Sequence, residues 1–210
     1  MSIMVRVLIV ENDPLAIQLF TIFLENHPRY RLVHILESAL YAESYCAANH
    51  VDLILMDICT DLGSSGLEVA AKIKKNMPSI KIIIITGQPE CDFINRARKG
   101  GVDSFWYKTV REVELLKVID RTMAGESIYP DTTPEIHIGY ALSTEFTPRE
   151  LEVLRELTSG DTNAEIADRL GLSAITVRNH IQNMLEKTGF SSRTSLAVAA
   201  GKSGLVNRDF

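Results

Sequence analysis

The sequence predicts an α/β domain built on a doubly wound parallel sheet, followed by a smaller all-α domain. Three observations carry that reading. The first 124 of the 210 residues alternate short apolar runs with amphipathic stretches, the pattern of βαβ units whose sheet is covered on both faces. From Gly125 to about residue 143 this pattern gives way to Gly125, Pro130, Pro134 and Gly139 with Ser and Thr between them, which reads as a linker. After it, only helical periodicity remains. The expected organisation is residues 1–124, a linker at 125–143, and residues 144–210, and a chain of this length is comfortable as two domains.

Five strands are expected in the first part: Met4–Val10, Arg31–Leu36, Asp52–Asp57, Ile80–Ile85 and Asp103–Tyr107. Val7-Leu8-Ile9-Val10 and Ile82-Ile83-Ile84-Ile85 are apolar on both faces, as central strands of a covered sheet must be. Helices are expected near 14–26, 39–48, 66–76, 90–100 and 111–124, punctuated by Pro78, Gly87 and Gly100-Gly101. In the second part, Thr147-Pro148-Arg149-Glu150 is a strong helix start: Thr147 caps, Pro148 suits the first turn, and Glu150 closes a capping box. Leu151, Leu154 and Leu157 form its apolar stripe and Gly160 ends it. A short helix at Asn163–Leu170 follows, then a turn at Gly171-Leu172-Ser173. A third helix spans about 174–188 and ends at Gly189, with Ile175, Val177, Ile181, Met184 and Leu185 expected to anchor it to the core. A fourth runs from Ser192 to about Ser203.

Composition removes several classes. The apolar fraction of 46% and charged fraction of 23% are those of ordinary globular proteins. No stretch approaches the roughly 20 apolar residues a membrane span needs, and the N-terminus lacks a signal-peptide pattern, so a cytoplasmic protein with no membrane partner is expected. Cys46, Cys59 and Cys91 are odd in number and far apart, which disfavours disulfides and structural zinc and suits reduced thiols. The net charge of −5 hides a distribution, since Arg169, Arg178, Lys187 and Arg193 face only Glu186 between positions 169 and 193. Such a local basic face allows phosphate binding.

Ligands of open parallel sheets bind beyond the carboxyl ends of the strands. There the sequence places Glu11-Asn12-Asp13 after the first strand, Asp57 after the third, Thr86-Gly87 after the fourth and Lys108 after the fifth. Carboxylates, a hydroxyl and an ammonium therefore converge on one edge. This chemistry suits phosphoryl transfer to a carboxylate: Asp57 as nucleophile, acids to hold Mg²⁺, Lys108 and Thr86 to hold the new phosphoryl oxygens. No phosphate-cradling glycine loop, paired catalytic Cys/His or nucleophile elbow is present, so an enzyme is not expected.

Residues 4–124 resemble the receiver domain of two-component response regulators, through Val7-Leu8-Ile9-Val10-Glu11-Asn12-Asp13-Pro14, Asp52-Leu53-Ile54-Leu55-Met56-Asp57, Ile84-Ile85-Thr86-Gly87 and Gly101-Val102-Asp103-Ser104-Phe105-Trp106-Tyr107-Lys108. The resemblance implies a flavodoxin-like fold. It implies that Asp57 is phosphorylated by a sensor histidine kinase. It makes Thr86 the switch hydroxyl, Phe105 the aromatic that repacks with it, and Lys108 the phosphoryl contact. It assigns Mg²⁺ to Glu11, Asn12, Asp57 and the carbonyl of Cys59. Two departures stand out. Asn12 occupies the place of a family acid, a weaker and neutral ligand. In the loop after Asp57, Asp61 stands where the family has proline, and Gly66 comes one residue late.

Residues 144–207 resemble the LuxR-type helix-turn-helix of the NarL/FixJ class, through Phe146-Thr147-Pro148-Arg149-Glu150-Leu151, Asn163-Ala164-Glu165-Ile166-Ala167, Leu170-Gly171-Leu172-Ser173, Thr176-Val177-Arg178-Asn179-His180-Ile181 and Lys187-Thr188-Gly189-Phe190-Ser191-Ser192-Arg193. Arg, Asn and Gln bond base edges bidentately in the major groove. By family position Arg178, Asn179 and Gln182 face bases, Thr176 suits a phosphate, and Lys187 and Arg193 touch the DNA backbone. The expected protein is a homodimeric, DNA-binding transcriptional response regulator controlled through Asp57. The alternative is a pseudo-receiver, disabled by Asn12 and the longer loop, that binds DNA without phosphorylation and answers a ligand or partner protein.

Overall fold

The computed structural model describes residues 4–88, 92–108 and 112–206. The expected helix starts at 90 and 111, Cys91, and the chain end at 207–210 lie outside these. Two compact units divide the described chain, the first formed by residues up to Gly87 and Asp92–Asp131, the second chiefly by the residues from Thr132 on.

The first unit contains β1 (Val5–Val10), α1 (Pro14–Glu25), β2 (Tyr30–Leu36), α2 (Ala42–Ala48), β3 (Leu53–Met56), α3 (Gly66–Asn76), β4 (Lys81–Thr86), α4 (Phe93–Lys99), β5 (Ser104–Tyr107) and α5 (Glu112–Met123). The strands form one parallel sheet in the order β2-β1-β3-β4-β5. Alternation along each strand splits the core into two layers. Leu8, Val10, Ile54, Met56, Ile82 and Ile84 pack with α2, α3 and α4. Val7, Ile9, Leu53, Leu55, Ile83 and Ile85 pack with Phe20 and Leu24 of α1 and Val118 and Ile119 of α5. Asp103 staples the opposite end of the sheet, accepting from Lys74 at 2.8 Å, Lys81 at 2.9 Å and the Ile82 amide at 2.9 Å.

The stretch expected as linker is not uniform. The Phe105 amide donates to the Ile128 carbonyl at 2.8 Å, and the Ile128 amide to Ser104 Oγ at 3.0 Å. This segment therefore runs along the free edge of β5 and covers it, a standard need of an edge strand. Further on, β6 (His137–Ile138) and β7 (Ala141–Leu142) form a hairpin in the second unit.

That unit continues with α6 (Pro148–Thr158), α7 (Asn163–Leu170), α8 (Ala174–Thr188) and α9 (Arg193–Ser203). Each helix carries its own cap: Thr147 and Thr162 close capping boxes with Glu150 and Glu165, and Ser173 and Ser192 accept from Thr176 and Ser195. Ile138, Leu151, Leu154, Ile166, Val177, Ile181, Met184 and Leu196 share one core. The hairpin approaches the end of α8 closely: the Tyr140 amide donates to the Thr188 carbonyl at 3.0 Å. A Cβ on Gly139, whose φ is +61°, would stand 2.0 Å from that carbonyl oxygen. Only glycine fits there, because it lacks the clash and tolerates the left-handed backbone.

Glu150 ties α6 to α8. Its carboxylate is buried and accepts from the Thr147 amide at 2.8 Å and from Lys187 Nζ at 2.7 and 2.9 Å. Burial alone would raise its pKa, but these donors and the Lys187 charge outweigh it and hold the carboxyl below the usual glutamate value. A depressed folded pKa contributes stability above the unfolded value, and that stability is lost as pH falls through the folded one. Glu150→Gln is expected to cost about 1–3 kcal/mol at neutral pH. It should also remove part of the loss of stability expected of wild type below about pH 4.5, as checked by urea denaturation across that range.

Candidate functional site

Strand order decides where the chemistry gathers. In a 2-1-3-4-5 sheet the topological switch lies between β1 and β3, and a crevice opens beyond their carboxyl ends. The Asp57 amide donates to the Val10 carbonyl at 2.8 Å and the Lys108 amide to the Thr86 carbonyl at 2.8 Å, so the ladder itself delivers Glu11, Asp57, Thr86 and Lys108 to this edge. Glu11, Asp57 and Thr86 are buried.

The Lys108 ammonium lies 2.5 Å from Glu11 Oε2 and 3.3 Å from Asp57 Oδ2. Glu11 Oε1 meanwhile accepts from the amides of Asn12 at 3.1 Å and Asp13 at 2.9 Å. Burial, the largest influence, pushes Asp57 up to about 7; Lys108 pulls it down and Glu11 pushes it up. Burial works against the Lys108 ammonium as well, yet the two carboxylates more than compensate and hold its pKa above the ordinary lysine value. The pocket therefore concentrates charge around one acceptor oxygen set while keeping most water out.

The departures after Asp57 have a structural account. The extra residue is taken up by a turn at Asp61–Gly63, where Leu62 adopts a left-handed φ of 64°. Hydrogen bonds knit this loop to the start of the next segment: Ser38 Oγ donates to the Asp61 carbonyl at 2.7 Å, the Asp61 amide to the Glu37 carbonyl at 3.0 Å, and the Ala39 amide to Thr60 Oγ1 at 2.8 Å. Asn12 Nδ2 donates to Asp61 Oδ1 at 2.7 Å. A carboxylate thus stands beside the amide that replaces the family acid, supplied by the other side of the crevice. Asp13 is committed elsewhere, accepting from the Leu15 amide at 2.9 Å as the cap of α1.

Among the described residues no three His, Cys, Asp or Glu side chains stand together as a ready metal nest. The side chains that the loops after β1 and β3 contribute are nonetheless oxygen donors: Glu11, Asn12, Asp57 and Asp61. Their chemistry fits a hard divalent cation rather than a transition metal. Cys46 is buried, with its thiol pushed up to about 11 by desolvation, and Cys59 is half-buried; neither forms a disulfide.

Phe105 is fully buried and meets Tyr107 edge-on at 5.1 Å. Tyr129 lies over its ring with centroids 6.3 Å apart, donates its hydroxyl to the Val102 carbonyl at 2.7 Å, and is covered by Arg98 at 4.1 Å. The sequence reading missed Tyr129. Its only signal was an aromatic residue inside a Gly/Pro-punctuated stretch, and nothing local says that it folds back onto β5.

In the second unit, α8 packs through Val177, Ile181, Met184 and Thr188. Arg178, Asn179, Gln182 and Asn183 are exposed, and Thr176 is half-buried with its hydroxyl 2.8 Å from Ser173 Oγ. Gln182 donates to Glu186 at 2.9 Å. Lys187 and Arg193 are engaged within the unit. Lys187 bonds Glu150 and the Glu145 carbonyl, while Arg193 donates to Asn163 Oδ1 at 2.9 Å and to the Asp161 carbonyl. One expectation is corrected outright: Ile175 does not anchor α8 to the core but is 73% exposed. It precedes Val177 by two residues, which on a helix turns it well away from the packed stripe.

Fold and site together define a receiver domain followed by a helix-turn-helix module. The comparisons agree: residues 7–120 match the response regulator receiver domain family, and residues 144–200 match the bacterial regulatory proteins of the luxR family. The chain belongs to the response regulators of the NarL/FixJ class and is a DNA-binding transcriptional regulator. It is 32% identical over 160 residues to the response regulator protein VraR of Staphylococcus epidermidis, covering 74% of this chain and 76% of the relative, and equally so to VraR of Staphylococcus aureus. Its fold is shared with a structure of two RcsB dimers bound to two parallel DNAs, at TM-score 0.62 and 19% identity over 95% of this chain and 98% of that one. RcsB of Salmonella enterica, bound to a promoter with a phosphomimetic, gives TM-score 0.58 at 21% identity over 94% and 98%.

The late glycine has a steric reason. A Cβ on Gly66 would stand 1.9 Å from the Asp57 carbonyl oxygen, while the Gly66 amide donates to the Ile58 carbonyl at 2.9 Å. Gly66→Ala is expected to cost about 1–3 kcal/mol through overpacking, measured by urea denaturation, and to slow any modification of Asp57 because that backbone must shift.

Proposed function

We propose that Asp57 accepts a phosphoryl group from the phosphohistidine of a sensor kinase and that this state controls how the second unit binds DNA. The observation that carries the reading is the buried Asp57 carboxylate beside Lys108 at the switch point of the sheet. An Asp57 oxygen attacks phosphorus, the phosphorus–nitrogen bond breaks with its electron pair staying on nitrogen, the histidine, already protonated on its other ring nitrogen, leaves as neutral imidazole, and Asp57 becomes an acyl phosphate. Lys108 then faces the phosphoryl oxygens by charge, and Thr86 donates its hydroxyl to them. Mg²⁺, when bound, supplies the positive charge that the transferring phosphoryl group requires. Glu11, Asn12, Asp57 and the Cys59 carbonyl are its assigned surroundings, with Asp61 restoring the charge that Asn12 lacks. The pseudo-receiver alternative is not favoured, because this replacement keeps an acid at the mouth of the pocket.

The route outward runs through Phe105. Movement of Thr86 toward a phosphoryl group lets Phe105 repack, which shifts an equilibrium between existing conformations. Tyr129 rests on Phe105, so the segment leaving α5 senses that shift directly.

On DNA, α8 enters the major groove. Arg178, Asn179 and Gln182 face bases, and Thr176 faces a phosphate. Lys187 and Arg193 flank the groove and reach phosphates only by sharing their partners Glu150 and Asn163. A homodimer reading two half-sites supplies the affinity that one small module lacks. The chain acts in the cytoplasm, where its kinase and DNA partners meet it; no helix among the described residues is long and apolar enough to cross a membrane.

Incubation with Mg²⁺ and acetyl phosphate is expected to add one phosphoryl mass that Asp57→Asn abolishes. An unlabelled wild type, beside a receiver labelled under the same conditions, contradicts the reading. Arg178→Ala is expected to weaken specific duplex binding by roughly 1–3 kcal/mol and to relax the preference at one base position, as read by titration against a selected duplex and its variants.

A further inference from the structure

Ile175 is the second residue of α8, two after the Ser173 cap, and it is 73% exposed. Ile175, Arg178, Asn179 and Gln182 fall at i, i+3, i+4 and i+7, so they line one face of the helix, opposite the packed stripe of Val177, Ile181 and Met184. The three polar members of that face are the base-reading side chains of the proposed function. An isoleucine among them has nothing to donate or accept. Its β-branched side chain is also stiff at χ1, so its methyl groups are presented in a fixed direction at little further entropic cost.

The major groove offers one apolar feature that distinguishes a base: the C5-methyl group of thymine. Recognition helices contact base edges chiefly with their N-terminal residues, and position 175 is at that end. We infer that Ile175 is a specificity-determining residue that packs against a thymine methyl in each half-site, adjacent to the base read by Arg178 or Asn179. This rests on the reading of α8 as the groove-entering helix and adds to it a base preference that hydrogen-bonding side chains do not provide.

Deoxyuridine lacks only the methyl, so it isolates the contact. A duplex is first selected in vitro from a random library with the full chain. Each of its thymines is then replaced singly by deoxyuridine and titrated against wild type and Ile175→Ala. An exposed residue tolerates this truncation, and an unchanged thermal melt confirms it. For wild type, one thymine per half-site is expected to lose roughly fourfold in affinity on losing its methyl, the worth of one buried methyl-sized group. Ile175→Ala is expected to bind that substituted duplex and its parent alike. The inference is overturned if no deoxyuridine substitution weakens wild-type binding, or if every such loss persists undiminished in Ile175→Ala. It is overturned too if Ile175→Ala instead abolishes self-association in sedimentation while leaving thymine discrimination intact, which assigns the residue to a protein contact. Selection of no preferred sequence by wild type sinks the groove placement itself, whereas a preferred sequence that depends on Arg178 but not on Ile175 sinks only this inference.

Discussion

Two carboxylates cannot be buried side by side without a counter-charge. The Lys108 ammonium, 2.5 Å from Glu11 and 3.3 Å from Asp57, supplies it to both. A buried ion cluster of this kind is a poor source of net stability, since desolvation of the charges offsets their attraction. Its value lies in poise. Asp57 stands near a shared cation, with a pKa raised by burial, in a place where an added dianionic group would redistribute every nearby contact. The sheet order makes this possible, because β1, β3 and β5 release their last residues on one edge.

Much of this arrangement was legible in the chain. Strand positions follow from continuous apolar runs, helix starts from caps such as Ser173 and Thr147, and the acidic edge from polar residues placed just after each strand. What escaped depends on contacts between residues far apart in sequence. Asp61 was noticed as a departure, but its pairing with Asn12 arises only once the β1 and β3 loops face each other across the crevice. Tyr129 sits in a stretch whose composition says turn and linker, and its place on Phe105 is a tertiary fact. The β6–β7 hairpin has strands of two residues each, too short to leave a periodic pattern. Ile175 was misplaced because apolar identity was taken for core position, two residues from a genuine core valine.

The two units solve opposite electrostatic problems. In the receiver, opposite charges are gathered inside and held against one another. On the face of α8, Arg178 and its neighbours are left in solvent, while the other basic residues nearby are spent on structure: Lys187 closes onto Glu150 and Arg193 onto Asn163. Net charge therefore says little about this surface. The residues of α8 that remain outward include Arg178, Asn179, Gln182 and Asn183, one cation among three amides.

Regulation of the kind proposed requires coupling between the Asp57 pocket and the α8 face within one chain. The most direct test is the affinity of the full chain for its selected duplex, measured on the same sample before and after treatment with acetyl phosphate and Mg²⁺, with the phosphorylated fraction read by intact mass. Affinity is expected to change in proportion to that fraction. Full phosphorylation of Asp57 with no change in duplex affinity or in the stoichiometry of the complex would contradict it.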